Sequence, residues 1–176
     1  MRKLLFFFII ALMANACNQT TQSKDENHNN KFDALKGNFI EDLWKLYPGW
    51  ASYVGYHKYD SVLTIPNEQH RQEQLAFCDK YLELLEGFEE NQLSANNFTD
   101  LKIMQNELKS MRWGTTEFKA WEWQPSQYNV GGGFGRMLNE TFELLDERLR
   151  NISIRLEKVP DYYETARKRI HKPSEV

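Results

Sequence analysis

Cysteine, proline and histidine are scarce in this chain, and each shortage excludes a class of protein. Its 176 residues include 2 cysteines, 5 prolines and 4 histidines. Two cysteines, Cys17 and Cys78, cannot build a disulfide framework or a zinc site made mainly of cysteine. No histidine belongs to a His-Glu-x-x-His or Glu-x-x-His motif, so the sequence lacks the usual helical zinc and di-iron signatures. We therefore predict no metal ligand, no catalytic residue and no cofactor in this chain.

An excess of positive charge is also missing. The chain carries 22 basic and 25 acidic residues, which gives a net charge of −3. Proteins that bind nucleic acid need a basic face, so we expect no nucleic-acid partner.

Long hydrophobic runs are absent except at the N-terminus. Arg2 and Lys3 precede an unbroken apolar run over residues 4–13, and small residues lead up to Cys17. This is the pattern of a bacterial export signal, and the run is about half of the roughly 20 residues that a membrane-spanning helix needs. The pattern predicts a signal peptide over residues 1–16 and a lipid on Cys17. Such a lipid would anchor the protein in a membrane of the bacterial cell envelope, outside the cytoplasm.

A plain secretory signal is the alternative, because Ala14 and Ala16 also fit ordinary cleavage. Residues 18–30 contain no apolar side chain, so they cannot bury enough surface to offset the entropy of ordering. We predict that residues 17–30 form the lipidated cysteine and a disordered tether, followed by a helical domain over residues 31–176.

Strict alternation of apolar and polar residues, the signature of strands, is absent from that domain, whereas helical spacing recurs along it. The spacing predicts an all-α array of about five to six helices. Helices are expected near residues 32–46, 48–55, 67–87, 101–125, 138–159 and 160–171. Cys78 falls at helical spacing with Leu75, Leu82 and Leu85, which is typical of an inert buried thiol.

The most regular apolar pattern lies in the last third of the chain. Spacings of four and three residues alternate there, as they do on the buried face of a long helix. We predict that residues 138–159 form the longest and most central helix. The stripe consists of Leu138, Phe142, Leu145, Leu149, Ile152, Leu156 and Val159.

Two further segments have features of binding sites. The glycine-rich run at residues 131–135 lacks the preceding strand and the Lys-Ser/Thr ending of a phosphate-binding loop, so we predict a flexible loop between helices. The dense aromatic stretch offers substrate-binding side chains for peptide or glycan, and packing between helices is the commoner role of such residues. Its candidate binding residues are Trp113, Trp121, Trp123 and Tyr128.

Two segments resemble motifs of a bacterial family of exported proteins, domain of unknown function family 885. Residues 47–60 are similar to the family's Pro-x-x-Ala-Thr-x-x-Gly-x-x-x-Tyr-Asp segment, with Ser52 in place of threonine. In residues 148–169, Arg155-Leu156, Pro160 and Ala166-Arg167 follow its Arg-Leu-x-x-x-Pro-x-x-x-x-x-Ala-Arg pattern.

This resemblance implies a large, nearly all-helical exported protein with a distant likeness to helical zinc metallopeptidases. In such proteins the metal-binding helix lies far downstream of the matching segments. The expected function is therefore that of an N-terminal portion of a lipid-anchored, peptidase-like hydrolase, with the zinc held elsewhere in the full-length protein. By analogy its helices form one layer of a larger domain and one wall of a substrate cleft. A non-catalytic lipoprotein module that binds peptide or glycan is the alternative.

Overall fold

The structure, a computed structural model, describes residues 19–171 and the side chains of residues 26–171. Within that part of the chain the regular elements are helices, with no strand, which confirms the predicted all-α class. No helix in residues 19–171 is both long and apolar enough to cross a membrane. The α-helices are α1 (Gln19–Leu46), α2 (Pro48–Tyr53), α3 (Glu68–Glu86), α4 (Ala95–Trp113), α5 (Ala120–Trp123), α6 (Gly131–Asn139), α7 (Leu145–Leu156) and α8 (Val159–Arg169).

The main hydrophobic core lies between α1, α3 and α4. Phe32, Phe39 and Leu43 lie at helical spacing on one face of α1 and are buried in this core. Aromatic rings meet edge to face across it, with 5.0 Å between the ring centroids of Phe39 and Tyr81. Such contacts add to the free energy gained by removing the rings from water.

The ends of α3 and α4 are set by local capping. Asn67 accepts a hydrogen bond from the His70 backbone amide at 2.9 Å, as expected for an N-cap residue. Ser94 plays the same part for α4 by accepting from the Asn97 amide at 3.3 Å. The buried face of α3 is centred on Phe77, Cys78, Tyr81 and Leu85, because the two aromatic side chains have more surface to bury than Leu75 and Leu82.

Helix α1 begins earlier than the sequence predicts. It starts at Gln19, so the structure places residues 19–30 in a helix rather than in a disordered tether. One contact in this segment reaches α4: Asn29 Oδ1 accepts hydrogen bonds from the Ser94 backbone amide at 2.9 Å and from Asn97 Nδ2 at 2.8 Å. These bonds give the polar N-terminal turns partners that composition alone does not reveal.

The helix predicted to run on towards Pro125 is interrupted. After α4 the backbone widens into one π-helical segment, Gly114–Phe118. Lys119 then adopts a left-handed conformation, with φ of 48°, which ends the segment before the short helix α5. Non-glycine residues adopt this conformation at a cost, so the break reflects the surrounding packing.

The glycine run is helical, which corrects the predicted flexible loop. Residues 131–135 form the first turns of α6. This helix packs against α7, and Arg155 of α7 lies beside Gly133. Glycines have low helix propensity, so the helix forms here against the local sequence preference.

The single long helix predicted over residues 138–159 is wrong. Helix α6 ends at Asn139 and α7 begins at Leu145, with five non-helical residues between them. Arg148, which is buried, explains the break: its guanidinium donates to the carbonyls of Met137 and Leu138, each at 2.9 Å. A cation that satisfies the last carbonyls of a helix stabilises the end of that helix.

The regular apolar stripe is not the core. The buried residues of α7 are Arg148, Ile152 and Arg155, whereas four leucines of the predicted stripe are exposed. We call these four side chains the leucine stripe: Leu138 (50% exposed), Leu145 (53%), Leu149 (43%) and Leu156 (52%). Of the predicted stripe on α7, Ile152 is therefore buried, whereas Leu145, Leu149 and Leu156 point into solvent.

The last helix forms as predicted, with Pro160 in the first turn of α8. Its C-terminal end carries the basic residues of the sequence. Arg167 and Lys168 are exposed and pair with Glu164 on the same helix.

Candidate functional site

A buried polar network joins α2 to α7. Its centre is Asp60, which is 2% exposed. Ser52 Oγ donates a hydrogen bond to Asp60 Oδ1 at 2.5 Å, and the His57 ring nitrogen Nδ1 lies 2.9 Å from Asp60 Oδ2. Arg155 completes the network by donating from Nη2 to Ser52 Oγ at 2.9 Å. One carboxylate thus orients a hydroxyl and an imidazole, and a buried guanidinium lies 4.0 Å from it.

The local backbone brings these groups together. Helix α2 is short, and the chain then turns at Gly55, whose φ is +88°. Only glycine adopts this conformation without strain. A single 3₁₀ turn, His57–Tyr59, follows and returns Asp60 to the side of Ser52.

The charges of the network oppose the cost of burial. Burial lowers the pKa of Arg155, and the nearby Asp60 carboxylate acts in the opposite direction. Arg155 Nε has no hydrogen-bond partner. Two buried opposite charges stabilise each other mainly because leaving one without the other would cost more.

This arrangement differs from a serine nucleophile site. A nucleophilic serine donates its proton to a neighbouring base, usually histidine. Here Ser52 donates to Asp60, and His57 bonds to the other oxygen of the same carboxylate. The geometry therefore indicates a structural role: the network holds α2, the following turn and α7 in a fixed arrangement.

A separate cavity of about 560 Å³ lies beside α3, α5 and α8, which is within the usual size range of small-ligand pockets. We call it the aromatic pocket. Trp121 forms part of its wall, and its ring lies between two guanidinium groups, with 4.8 Å from the centroid to Arg71 and 4.4 Å to Arg169. No aspartate or glutamate lines the pocket, but Glu68, outside the lining, pairs with Arg71, with 2.5 Å between Glu68 Oε1 and Arg71 Nη2. The positive charge of the lining therefore comes mainly from Arg169, and it favours an anionic ligand.

Burial shifts the proton affinities of groups around this pocket. The pKa of His70 is lowered mainly because burial disfavours the imidazolium ion, and Glu73 partly opposes the shift. The pKa of Arg169 is also lowered by burial. Burial raises the pKa of Tyr162 to about 12, so its hydroxyl stays protonated and available to donate a hydrogen bond.

Comparison with known proteins places the chain in a family. The family described as "Bacterial protein of unknown function (DUF885)" matches residues 48–175. The chain belongs to this family. A solved structure of a candidate lipoprotein of unknown function from Shewanella oneidensis is similar to it at 44% identity with a TM-score of 0.79. That match covers 81% of this chain and 26% of the other, so the chain spans about a quarter of its solved relative. Among curated proteins, none is similar enough to count as a match.

The two segments that carry the DUF885 resemblance meet in the buried network. Ser52 and Asp60 come from the first segment and Arg155 from the second. The sequence alone did not predict that Arg155 meets Ser52 and Asp60, because it lies more than ninety positions from both. In addition, Ser52 stands where the family pattern has threonine. The buried hydroxyl, carboxylate and guanidinium give a physical reason for both motifs.

The predicted aromatic residues separate into two groups. Trp121 and Tyr128 both line the aromatic pocket, and the Tyr128 hydroxyl donates to the Trp121 carbonyl at 2.7 Å. Trp113 instead is exposed and stacks on Phe118, with 5.3 Å between ring centroids. Trp123 lies outside the pocket and donates from its indole nitrogen to the Phe118 carbonyl at 3.0 Å.

Sequence reasoning missed the two arginines of the aromatic pocket in this DUF885 chain. Arg169 belongs to a basic run that reads as a solvated helix end, yet it packs on Trp121 and donates to the carbonyls of Pro66 and Asn67. Arg71 had no distinguishing signal. The predicted lipidation site, Cys17, lies outside the described residues.

Proposed function

We propose that this chain forms the N-terminal layer of a larger, lipid-anchored protein that resembles metal-dependent hydrolases of the peptidase type. In this proposal the layer binds substrate and supplies no catalytic group. The observation that carries it is the leucine stripe, four large apolar side chains held in solvent along α6 and α7. Large apolar side chains exposed in this way are typical of a face that packs against another part of the molecule or a partner.

The length of the solved relative supports a covered stripe. The matched region is 26% of that chain, so most of the relative lies outside the part that this chain resembles. A helix with one face on its own core and the other apolar is the expected form of an internal layer. The proposal assigns the zinc of a full-length family member to residues that this chain does not contain.

Features of the sequence and of the relative support an envelope location. The sequence predicts an export signal over residues 1–16, directly before Cys17, and the solved relative is itself described as a candidate lipoprotein. We place the folded body outside the cytoplasm, held at a bacterial membrane by acyl groups on Cys17.

The aromatic pocket is the proposed contact with substrate. Trp121 and Tyr128 offer aromatic faces, and Arg169 adds a positive charge, whereas Arg71 is paired with Glu68. A peptide with a free carboxylate matches this surface, since guanidinium groups bind carboxylates by charge-assisted hydrogen bonds.

Membrane attachment is tested by fractionation of the producing bacterium. Cys17→Ala should move the protein from the membrane fraction to the soluble fraction or block its maturation. Cys78→Ala is the matched control, because Cys78 is buried in the core, and it should leave the distribution unchanged. Identical behaviour of Cys17→Ala and the wild type would contradict the lipid anchor.

The hydrolase assignment is tested on the native product. Antibodies against residues 31–171 should detect a polypeptide much longer than this chain, and that product should retain zinc and cleave peptides, whereas this chain should do neither. A native product of the same length as this chain would contradict the proposal.

The aromatic pocket also supports the second candidate, a non-catalytic module that binds peptide or glycan. In that case acidic peptides or oligosaccharides should shift the tryptophan emission of this chain, Trp121→Leu should abolish the shift, and no longer product should exist. Trp113→Leu is the control, since Trp113 lies outside the pocket.

A further inference from the structure

A second cavity, of about 270 Å³, lies between α2, α6 and α7 on the outer side of the buried network. We propose that this cavity, the glycine pocket, binds an oxyanion, either a carboxylate or a phosphate group. The proposal is independent of the aromatic pocket and of the proposed function. The residues that matter are Ser52, His57, Gly132, Gly133, Arg136 and Arg155.

The first observation is the start of α6. This helix has nine residues, and Val130, at its N-cap position, gives it no side-chain hydrogen bond. Asn129 Oδ1 accepts from the Gly131 amide at 2.9 Å, whereas Gly132 and Gly133 follow in the first turn, where amides have no acceptor within the helix. Both glycines line the cavity. Free amides and the positive end of the helix dipole together attract anions.

The second observation is a buried arginine beside that helix start. Arg155 is 5% exposed and lines the cavity, and its Nε has no hydrogen-bond partner. A Cβ atom placed on Gly133 would lie 3.8 Å from Arg155 Nη1. The absence of a side chain at Gly133 therefore leaves room for a small group between the α6 amides and the guanidinium.

Further charge around the cavity has the same sign. Arg136 is a second guanidinium in the lining, stacked 4.1 Å from the ring centroid of Tyr53. No aspartate or glutamate lines the cavity. Two carboxylates lie nearby: Asp60, buried and engaged by Ser52 and His57, and Glu140, whose Oε1 is 3.3 Å from Arg136 Nη1. They reduce the positive charge at the cavity, and Arg136 Nη1 also donates to the Tyr53 carbonyl at 3.3 Å.

Size limits the ligand. A cavity of this volume holds a small acidic group and not a whole cofactor. A carboxylate of a peptide and a phosphate monoester share the planar or tetrahedral oxygens that amides and guanidinium groups recognise. We infer that one such group binds there, and the probes below separate the two sources.

The test measures binding of inorganic phosphate and of acetate by calorimetry, at constant ionic strength set with chloride. Wild-type chain should bind at least one of the two probes. Gly133→Ala should weaken this binding by about tenfold or more, a loss of roughly 1.4 kcal/mol, because the new methyl group occupies the space beside Arg155. Folding should survive, since the methyl group would meet Arg155 at ordinary contact distance and alanine favours helix.

Two controls keep the result specific. Gly135→Ala adds the same methyl group to the same helix with nothing within 4 Å and outside the cavity lining, so it should bind as the wild type does. Arg136→Gln should weaken binding in the same direction as Gly133→Ala. Preference for phosphate or for acetate identifies the source of the oxyanion.

Three outcomes would overturn the proposal. The wild type binds neither probe, or Gly133→Ala and Gly135→Ala bind equally well, or binding is lost in Arg71→Gln and kept in Gly133→Ala. The last result would place the anion in the aromatic pocket.

Discussion

At the scale of single residues, the buried network explains more of this chain than any other feature. Asp60 joins three side chains that come from two distant segments, and each of the three is held by a hydrogen bond or charge that another supplies. In the sequence, only the resemblance to family motifs draws attention to these residues. Their shared role depends on the turn at Gly55 and on the side of α7 that faces inward, and neither is visible in the spacing of residues.

Loss of the Asp60 charge should destabilise the fold strongly. Asp60→Asn leaves the buried Arg155 guanidinium without its counter-charge, and such a change typically costs about 3 to 5 kcal/mol. Urea unfolding monitored by circular dichroism measures this loss. Glu157→Gln is the control, because Glu157 is an exposed acid on the same region of the chain, and it should change the free energy of unfolding by less than about 0.5 kcal/mol. Equal effects of the two substitutions would show that the network contributes nothing special.

His70 should make stability depend on pH. Its folded pKa is lowered mainly by burial, so the unfolded chain binds the proton more tightly than the folded chain does. This stabilising contribution is complete above the unfolded pKa of about 6.5 and is lost as the pH falls through it. Between about pH 7.5 and 5, His70→Gln should therefore lose less of its unfolding free energy than the wild type.

The control for this pH effect is Asn91→Gln, at an exposed residue that carries no titratable group. Its curve of unfolding free energy against pH should run parallel to that of the wild type. If the curve of His70→Gln also runs parallel to the wild type, burial of His70 does not set the acid response.

At the scale of helices, apolar spacing predicted which residues share one face of a helix. It did not predict which of these faces another helix would bury. The face of α1 packs in the core as its spacing indicates, because α3 and α4 lie against it. The spacing in residues 138–159 is just as regular, yet Leu145 and Leu149 are exposed while Arg148 is buried. Periodicity shows which residues share a side of a helix, and the neighbouring elements decide which side is buried.

The helix boundaries show the same division. Asn67 and Ser94 cap their helices through local hydrogen bonds, and such bonds follow from the order of residues. The break after Asn139 depends on Arg148, which reaches back to the carbonyls that end α6. For the same reason, the sequence predicted only part of the aromatic pocket. Trp121 and Tyr128 could be chosen as aromatic residues, whereas Arg71 and Arg169 come together only because α3 and α8 both line the pocket.

Two residues of the predicted stripe on α7, one buried and one exposed, test which side of this helix faces the protein interior. Ile152→Ala should lower the free energy of unfolding by about 2 to 5 kcal/mol, because Ile152 is buried and its removal leaves a cavity. Leu149→Ala should change it by less than about 0.5 kcal/mol, as for other exposed positions. Thermal or urea unfolding gives both values. A loss at Leu149 as large as the loss at Ile152 would mean that Leu149 is buried too and that the leucine stripe is not exposed.

At the scale of the whole molecule, a hydrophobic core lies between α1, α3 and α4, whereas α6 and α7 expose the leucine stripe. The α1–α3–α4 core buries large aromatic and aliphatic side chains, and their removal from water stabilises this part of the fold. The leucine stripe on α6 and α7 lies outside that core. The family match and the length of the solved relative agree with a layer that packs against further structure.

Sedimentation of the non-acylated Cys17→Ala chain tests this central claim most directly. An uncovered leucine stripe should make the chain self-associate as its concentration rises, because burying apolar side chains is favourable. Leu145→Lys combined with Leu149→Lys should yield a monomer. The matched control combines Leu84→Lys with Ile103→Lys, which are exposed apolar residues on α3 and α4, and it should still self-associate. A wild-type chain that stays monomeric at every concentration, or equal loss of association in both double variants, would contradict the stripe as a docking face.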